Sequence, residues 1–515
     1  MACTPSPSTV DVPAPRRLSS PHVWCFTTYF AEGLPFTVIR SLSSLFLRDR
    51  HVSLEAVGLS SLLGLSWALK FLWGPQIDQY GTRRGWMVAL QAALAVAILV
   101  AGLCASLAHG VQIVAALFLL GAVLAATHDM AVDGFYMVAL DAAGQTRFLG
   151  YRVMAYRIAM MTGTGVVATV STTYSWSWGF ALAGCLLGLL AAYHLLFLPQ
   201  VEAVGLPWRS LGERVLRFRS LAAAACLALV VLGVRAVTEG EWLRGLKSSV
   251  PALRVFTFPN VVSALLLATL LAASLLRHRV QAALVRRDSF YARAFSSFLD
   301  RPGIGPVLAF VIFLRTGEFM LSAMVSPFLV DAGLKQHYGW LSSGVGLPCS
   351  VVGALVGGFL LERYGMRRML WPFLLAQNLT NLVYMGLASY LQPWVAQNTG
   401  QAVPTFMGAG NLAAVAAVHG FDNFAGGLGT SVLTVYLMQA CAQEYRAAHF
   451  AIGSGLMSIS GVFAGICSGY VAGTWGYPAN FGLSFVLAVP GMVLAWFLPV
   501  ADAGPPEGAD PSGEG

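Results

Sequence analysis

The residues that could do chemistry in this chain are carboxylates, an imidazole and a few bases set inside apolar segments. Glu32 lies in YFAEGLPFTVIRSL, and His128, Asp129 and Asp133 lie in LAATHDMAVDGFYM. Arg315 and Glu318 lie in FVIFLRTGEFML, and Asp422 and Asn423 in AAVHGFDNFAGGLG. A charge at the centre of a membrane helix costs on the order of 3 kcal/mol, so such groups usually face a wet cavity, a partner or a solute path. Asp129 and Asp133 stand one helical turn apart and share a face. A carboxylate balanced between burial and a nearby cation can load and release a proton as its access to water changes. Glu32, Asp129 and Asp133 are therefore the candidates for proton coupling. The plainer alternative for the two aspartates is an ion pair with Arg152 or Arg157, which open the next apolar segment.

The other candidates would touch a solute. Lys70 has Trp67 and Trp73 three residues to either side, which sets a cation beside aromatic faces suited to a sugar ring or to a snorkelling stem. Arg157 and Arg315 could meet an anion, although Arg315 can also close an i, i+3 pair with Glu318. His128 could relay protons, because imidazole titrates near neutral pH, or be a satisfied core residue. Asp422 and Asn423 sit among Gly420, Gly426 and Gly427, a place for a solute contact or a gate. Arg40 and Arg152 fall near segment ends, where anchoring at the membrane interface is expected. Two aspartates and a histidine in HDMAVD (128–133) could instead ligate a divalent ion. That reading would make the chain a polytopic membrane enzyme, and a membrane sensor is a further alternative. No GxxxxGK[ST] occurs, so transport driven by ATP within this chain is not expected.

The composition says what positions these residues. Of 515 residues, 57% are apolar and 10% charged, with a mean hydropathy of +0.69. Soluble chains carry about 25% charged residues, so a soluble class is excluded. The net charge of +8 sits in short loops between apolar runs, where it sets membrane orientation and gives no reason to expect nucleic acid. The expected partners are a small-molecule solute and membrane lipid, with no cofactor and no metal. The eight cysteines form no CxxC pair and suggest neither a disulfide frame nor a metal site.

Apolar windows long enough to span a bilayer number about fourteen: 22–46, 54–77, 86–107, 111–138, 148–172, 177–198, 219–237, 256–276, 304–330, 338–361, 369–390, 409–438, 447–472 and 480–500. The excess of Lys and Arg on one set of loops predicts that both termini are cytoplasmic. Segment 279–301 carries Phe290, Ala294, Phe295 and Phe298 at helical spacing between arginines, the pattern of an amphipathic helix on the inner membrane surface. Residues 1–21 and the acidic tail 501–515 are expected to be disordered.

One pattern occurs twice. GPQIDQYGTRR runs from Gly74 to Arg84, with Asp78, Gly81, Arg83 and Arg84. GFLLERYGMRR runs from Gly358 to Arg368, with Glu362, Gly365, Arg367 and Arg368. Arginines at a helix start can reach the acid and the carbonyl end of a neighbouring helix, latching helices at the cytoplasmic face. This motif resembles the loop motif of the major facilitator superfamily. The resemblance implies an all-α polytopic fold of two six-helix halves, 22–198 and 304–500, with 199–303 holding basic segments and an inserted helix pair. It also implies a solute site near the bilayer midplane.

Further stretches resemble the AmpG-type muropeptide permeases, a branch that includes acetyl-CoA transporters: YFAEGLPF (29–36), LKFLWGPQID (69–78), GWM (85–87), ATHDMAVDG (126–134), GGLGTSVLTVYLMQAC (426–441) and AAHFAIGSGL (447–456). The branch pattern around the fourth span is closer to ATQDIAIDAYR, so His128 stands where glutamine would be expected. The resemblance implies a proton symporter in a bacterial inner membrane, importing an anhydromuropeptide for cell-wall recycling, or alternatively a siderophore or acyl-CoA-type solute. It further implies that the first helix of each three-helix unit lines the cavity. Those are spans 22–46, 111–138, 304–330 and 409–438, which carry the five acids set in apolar segments, Glu32, Asp129, Asp133, Glu318 and Asp422.

Overall fold

In a bilayer each backbone polar group must be satisfied within its own segment, so apolar runs of this length fold as helices. The computed structural model describes residues 19–70, 73–202, 205–215, 218–250, a few positions between 253 and 297, 304–399, 401, 405, 407–439 and 446–497. The first half contains α1 (Pro21–Arg40), which Ser41 joins to a further helical stretch, Leu42–Asp49. The second span, α2, is broken into Leu54–Gly58, a 3-10 segment Leu59–Gly64, and Leu65–Leu69. Then come α3 (Arg83–Cys104), α4 (Gly110–Ala139), α5 (Ala142–Met161, prolonged by a π-helical segment Thr162–Val167) and α6 (Trp176–Phe197). The second half contains α7 (Ile304–Asp331), α8 (Leu347–Tyr364, entered through a π-helical segment Leu341–Gly346), α9 (Met366–Tyr390) and α10 (Ala409–Gln439). A final helical run, Arg446–Leu494, kinks at Gly476, where φ is +84°; the parts before and after the kink are α11 and α12.

Among the described residues, seven helical stretches are long and apolar enough by length and composition to cross a membrane. Of the expected inserted pair, Phe218–Glu239 is helical. The expected span 256–276, the amphipathic segment 279–301 and both expected disordered ends lie wholly or mostly outside the described residues.

Within the first half α1 packs on α4 and α5, and α3 packs on α4 and α6. Within the second, α7 packs on the α11–α12 run and α8 and α9 pack on α10. Across the seam α2 meets α11, α8 meets α5, and the end of α1 meets α7. Exchanging the halves maps the seam contacts onto one another.

The apolar core is distributed unevenly along the membrane normal. Near the Asp49 and Asp331 ends, one buried cluster runs through both halves and includes Phe46, Trp176, Phe328 and Leu341. Toward the duplicated loop motifs the core splits in two. Trp24, Met87, Phe135 and Leu198 belong to one half, and Phe310, Leu370, Val432 and Tyr436 to the other. The halves are therefore fused at one face and separate at the other.

The fused face also carries ion pairs between the halves. Arg48 grips Asp331 through Nε (2.7 Å) and Nη2 (2.6 Å), and Tyr477 donates to the same carboxylate at 2.6 Å. Lys335 pairs with Asp49 at 2.8 Å, and the Trp176 indole donates to Asp49 at 2.7 Å. At the other face, Gly81 and Gly365 of the two motifs adopt φ of +65° and +77°, a turn that glycine makes without strain. Beyond Gly74 and Gly81, Arg83 donates to Asp78 at 2.7 Å and to Glu202 at 3.4 Å. Arg84 donates to the carbonyls of Leu195, in the last turn of α6, and Leu198, which caps it. In the second copy, which begins at Gly358, Glu362, Arg367 and Arg368 are exposed, and among the described residues none of them forms an ion pair.

Candidate functional site

The helices of the first half bring a charge cluster together. Tyr29 and Glu32 come from α1, Lys70 from the end of α2, Asp129 and Asp133 from α4, and Arg152, Tyr156 and Arg157 from α5. Lys70 and Asp129 form an ion pair. Arg152 pairs with Asp133 at 2.9 Å, and the Tyr29 hydroxyl donates to the same carboxylate at 2.8 Å. The Arg152 guanidinium lies 4.6 Å from the Tyr29 ring centroid. Among the described residues Glu32 forms no ion pair, and its Oε2 is enclosed without a hydrogen bond. It lines a cavity of about 430 Å³ with Tyr29, Phe36, Arg152, Tyr156 and Arg157.

A second cavity, also about 430 Å³, lies between the halves. Phe36 and Met160 line both cavities. Phe36 packs edge-on against Trp67, with ring centroids 5.1 Å apart, and so forms a wall between them. The second cavity is rich in hydroxyls, among them Ser41, Ser60, Ser61, Thr164, Ser326 and Ser342. Its charged groups are Arg40 from the first half and Asp422 from the second, beside His419 and Asn423. His419 is held by the Tyr384 hydroxyl at 2.8 Å, and the Asn423 amide donates to the His419 carbonyl at 2.8 Å. Arg315 and Glu318 form the intrahelical pair, with Gln377 also donating to Glu318.

Several expectations need correction. Arg40 and Arg152 do not anchor at the interface. A second helical stretch, Leu42–Asp49, follows α1 beyond Ser41, so Arg40 lies inside the bundle and lines the cavity between the halves, while Arg152 reaches Asp133. Lys70 neither snorkels nor stands free for a solute, because Asp129 neutralises it. Its neighbour Trp73 donates to Thr127 at 3.0 Å. His128 is fully buried and lines neither cavity, and among the described residues neither of its ring nitrogens has a partner. Among the described residues no three His, Cys, Asp or Glu side chains converge as metal ligands. The sequence reading missed Tyr29, Tyr156, His419, Gln377 and the Glu202 contact. It also missed the strap made by Arg48, Asp49, Asp331 and Lys335. The available signal was polarity: each is a polar residue within or at the end of an apolar run.

Comparison with known proteins gives the same architecture. The family model described as Major Facilitator Superfamily matches residues 25–421. The anhydromuropeptide permease of Escherichia coli K12 is 25% identical over 477 residues, covering 90% of this chain and 77% of the relative. A putative transporter AmpG 4 of Rickettsia conorii is 22% identical, covering 92% and 95%. Among solved structures, the peptide transporter POT in complex with sulfate superposes with a TM-score of 0.61 at 13% identity, covering 92% and 94%. The nucleoside transporter NupG superposes with a TM-score of 0.56 at 12% identity, covering 93% and 99%. With the paired halves, the seam contacts and the duplicated loop motif, these matches make the chain a member of the major facilitator superfamily, a transporter similar to the AmpG-type permeases.

Proposed function

We propose that this transporter is a proton-coupled importer of a bulky polar solute, and that Glu32 carries the coupling proton. The carrying observation is the state of the acids. Asp129, Asp133 and Glu318 each have a cation, whereas Glu32, half-buried with its Oε2 enclosed, has none among the described residues and borders a cavity. A buried charge without a partner costs several kcal/mol, and binding a proton removes that cost. When the cavity opens to water the charged form becomes affordable and the proton leaves. Asp129 and Asp133, already bound to Lys70 and Arg152, set the field around it. The reading is that the latch loops and both termini are cytoplasmic, and that the fused face points outward. The halves then part toward the cytoplasm. The similarity to anhydromuropeptide permeases supports an anhydromuropeptide as the solute.

The test is uptake of a labelled anhydromuropeptide into proteoliposomes under an imposed pH gradient. The wild type accumulates it as the outside is acidified. Glu32→Gln loses accumulation but keeps solute exchange at equal pH. Accumulation indifferent to the gradient removes the symport reading.

A further inference from the structure

Arg40 is a cation inside the bundle to which the proton cycle assigns no task. Its Nη1 donates to the Ser61 carbonyl at 3.1 Å, and no carboxylate among the described residues pairs with it. The local backbone accounts for its position. In an α-helix the Leu65 N–H would take the Ser61 carbonyl; in the 3-10 segment it takes that of Leu62, and Ser61 accepts from Arg40 instead. Gly64 leaves the space: a Cβ there would lie 2.2 Å from Arg40 Nη1. The second half repeats the device. LSSLLGL (59–65) and LSSGVGL (341–347) precede the two loop motifs, and both LSSxxG segments depart from α-helical geometry, one 3-10 and one π. A Cβ on Gly346 would lie 2.6 Å from His419 Nε2. Each glycine thus seats a polar side chain at the wall of the same hydroxyl-lined cavity.

We propose that Arg40 is the anion anchor of a solute-binding chamber framed by these two segments. Its solute carries an oxyanion at the Arg40 end and hydrogen-bond donors, hydroxyl, amide or ammonium, at the Asp422 end. The chamber volume falls within the range of about 300–1,000 Å³ usual for small-molecule sites. A planar guanidinium selects a carboxylate or phosphate by its paired donors. Asp422, on the facing wall, accepts and would repel a second anion. Lys70, Arg152 and Arg315 are already neutralised within the protein. This assignment rests on the transport reading but not on proton coupling.

The experiment measures binding by thermal stabilisation of the purified full-length protein, with no gradient. The three ligands are N-acetylmuramic acid, its methyl ester and glucose 6-phosphate. The wild type is stabilised by at least one of the two acids at lower concentration than by the ester, and which acid acts distinguishes carboxylate from phosphate. Arg40→Gln weakens that acid about tenfold or more and leaves the ester unchanged. Arg40→Lys recovers part of the loss, and Gly64→Ala, which displaces the guanidinium, reproduces it. Equal response to acid and ester, no response to either acid, or unchanged affinity in Arg40→Gln overturns the proposal. Gradient-independent uptake with the binding pattern intact overturns the symport reading instead and leaves the anchor standing.

Discussion

At the scale of single residues, what distinguishes the buried charges is whether each has a partner. Lys70 and Asp129 answer each other, so removing one strands the other in a poor solvent. Lys70→Met alone is expected to destabilise the protein by on the order of 1–3 kcal/mol. The double variant Lys70→Met, Asp129→Asn should recover most of that, read as melting temperature in detergent; a double variant less stable than the single would show that the pair has no such coupling. Much of this chemistry was legible in the chain. Acids inside apolar runs stand out because burial makes them rare, and Glu32, Asp129 and Asp133 do come together. What the chain did not reveal was pairing. Lys70 and Asp129 are distant in sequence and meet only because α2 and α4 pack. Arg40 was misread because its apolar run ends near residue 46 while the helical path continues to Asp49.

At the scale of helices, the informative feature is where regular geometry fails. Apolar length marks the spans, but nothing in periodicity announces a 3-10 segment at Leu59–Gly64 or a π segment at Leu341–Gly346. The repeated LSSxxGL was the available sign, and its meaning needs the cavity it faces. The loop-motif glycines are the opposite case, because a shared glycine before two arginines already implies the positive φ found at Gly81 and Gly365. Gly346→Leu should push His419 off Tyr384 and fill the cavity between the halves. The expected result is loss of transport with the variant still folded, and retained transport at wild-type rate would show that the cavity wall tolerates the intrusion.

At the scale of the whole molecule, two halves share a core at one face and part at the other, and the strap holds the shared face. Arg48 and Asp331 are almost fully shielded, with 12% and 6% of their side chains exposed, so water screens this pair little. Alternating access requires that face to open, and opening must break the Arg48–Asp331 and Asp49–Lys335 pairs together. Losing one charge-assisted contact from a two-state element changes its balance by about 1.5–3 kcal/mol, roughly tenfold or more in population. Asp331→Asn is therefore expected to raise the fraction of molecules open at the strap face. Spin labels at His51 and Gln336, both exposed on that face, would report it as a longer-distance population in pulsed electron resonance. An unchanged distance distribution would mean that the apolar core, with Phe46, Phe328 and Leu341 at its centre, closes the face without help from the charges.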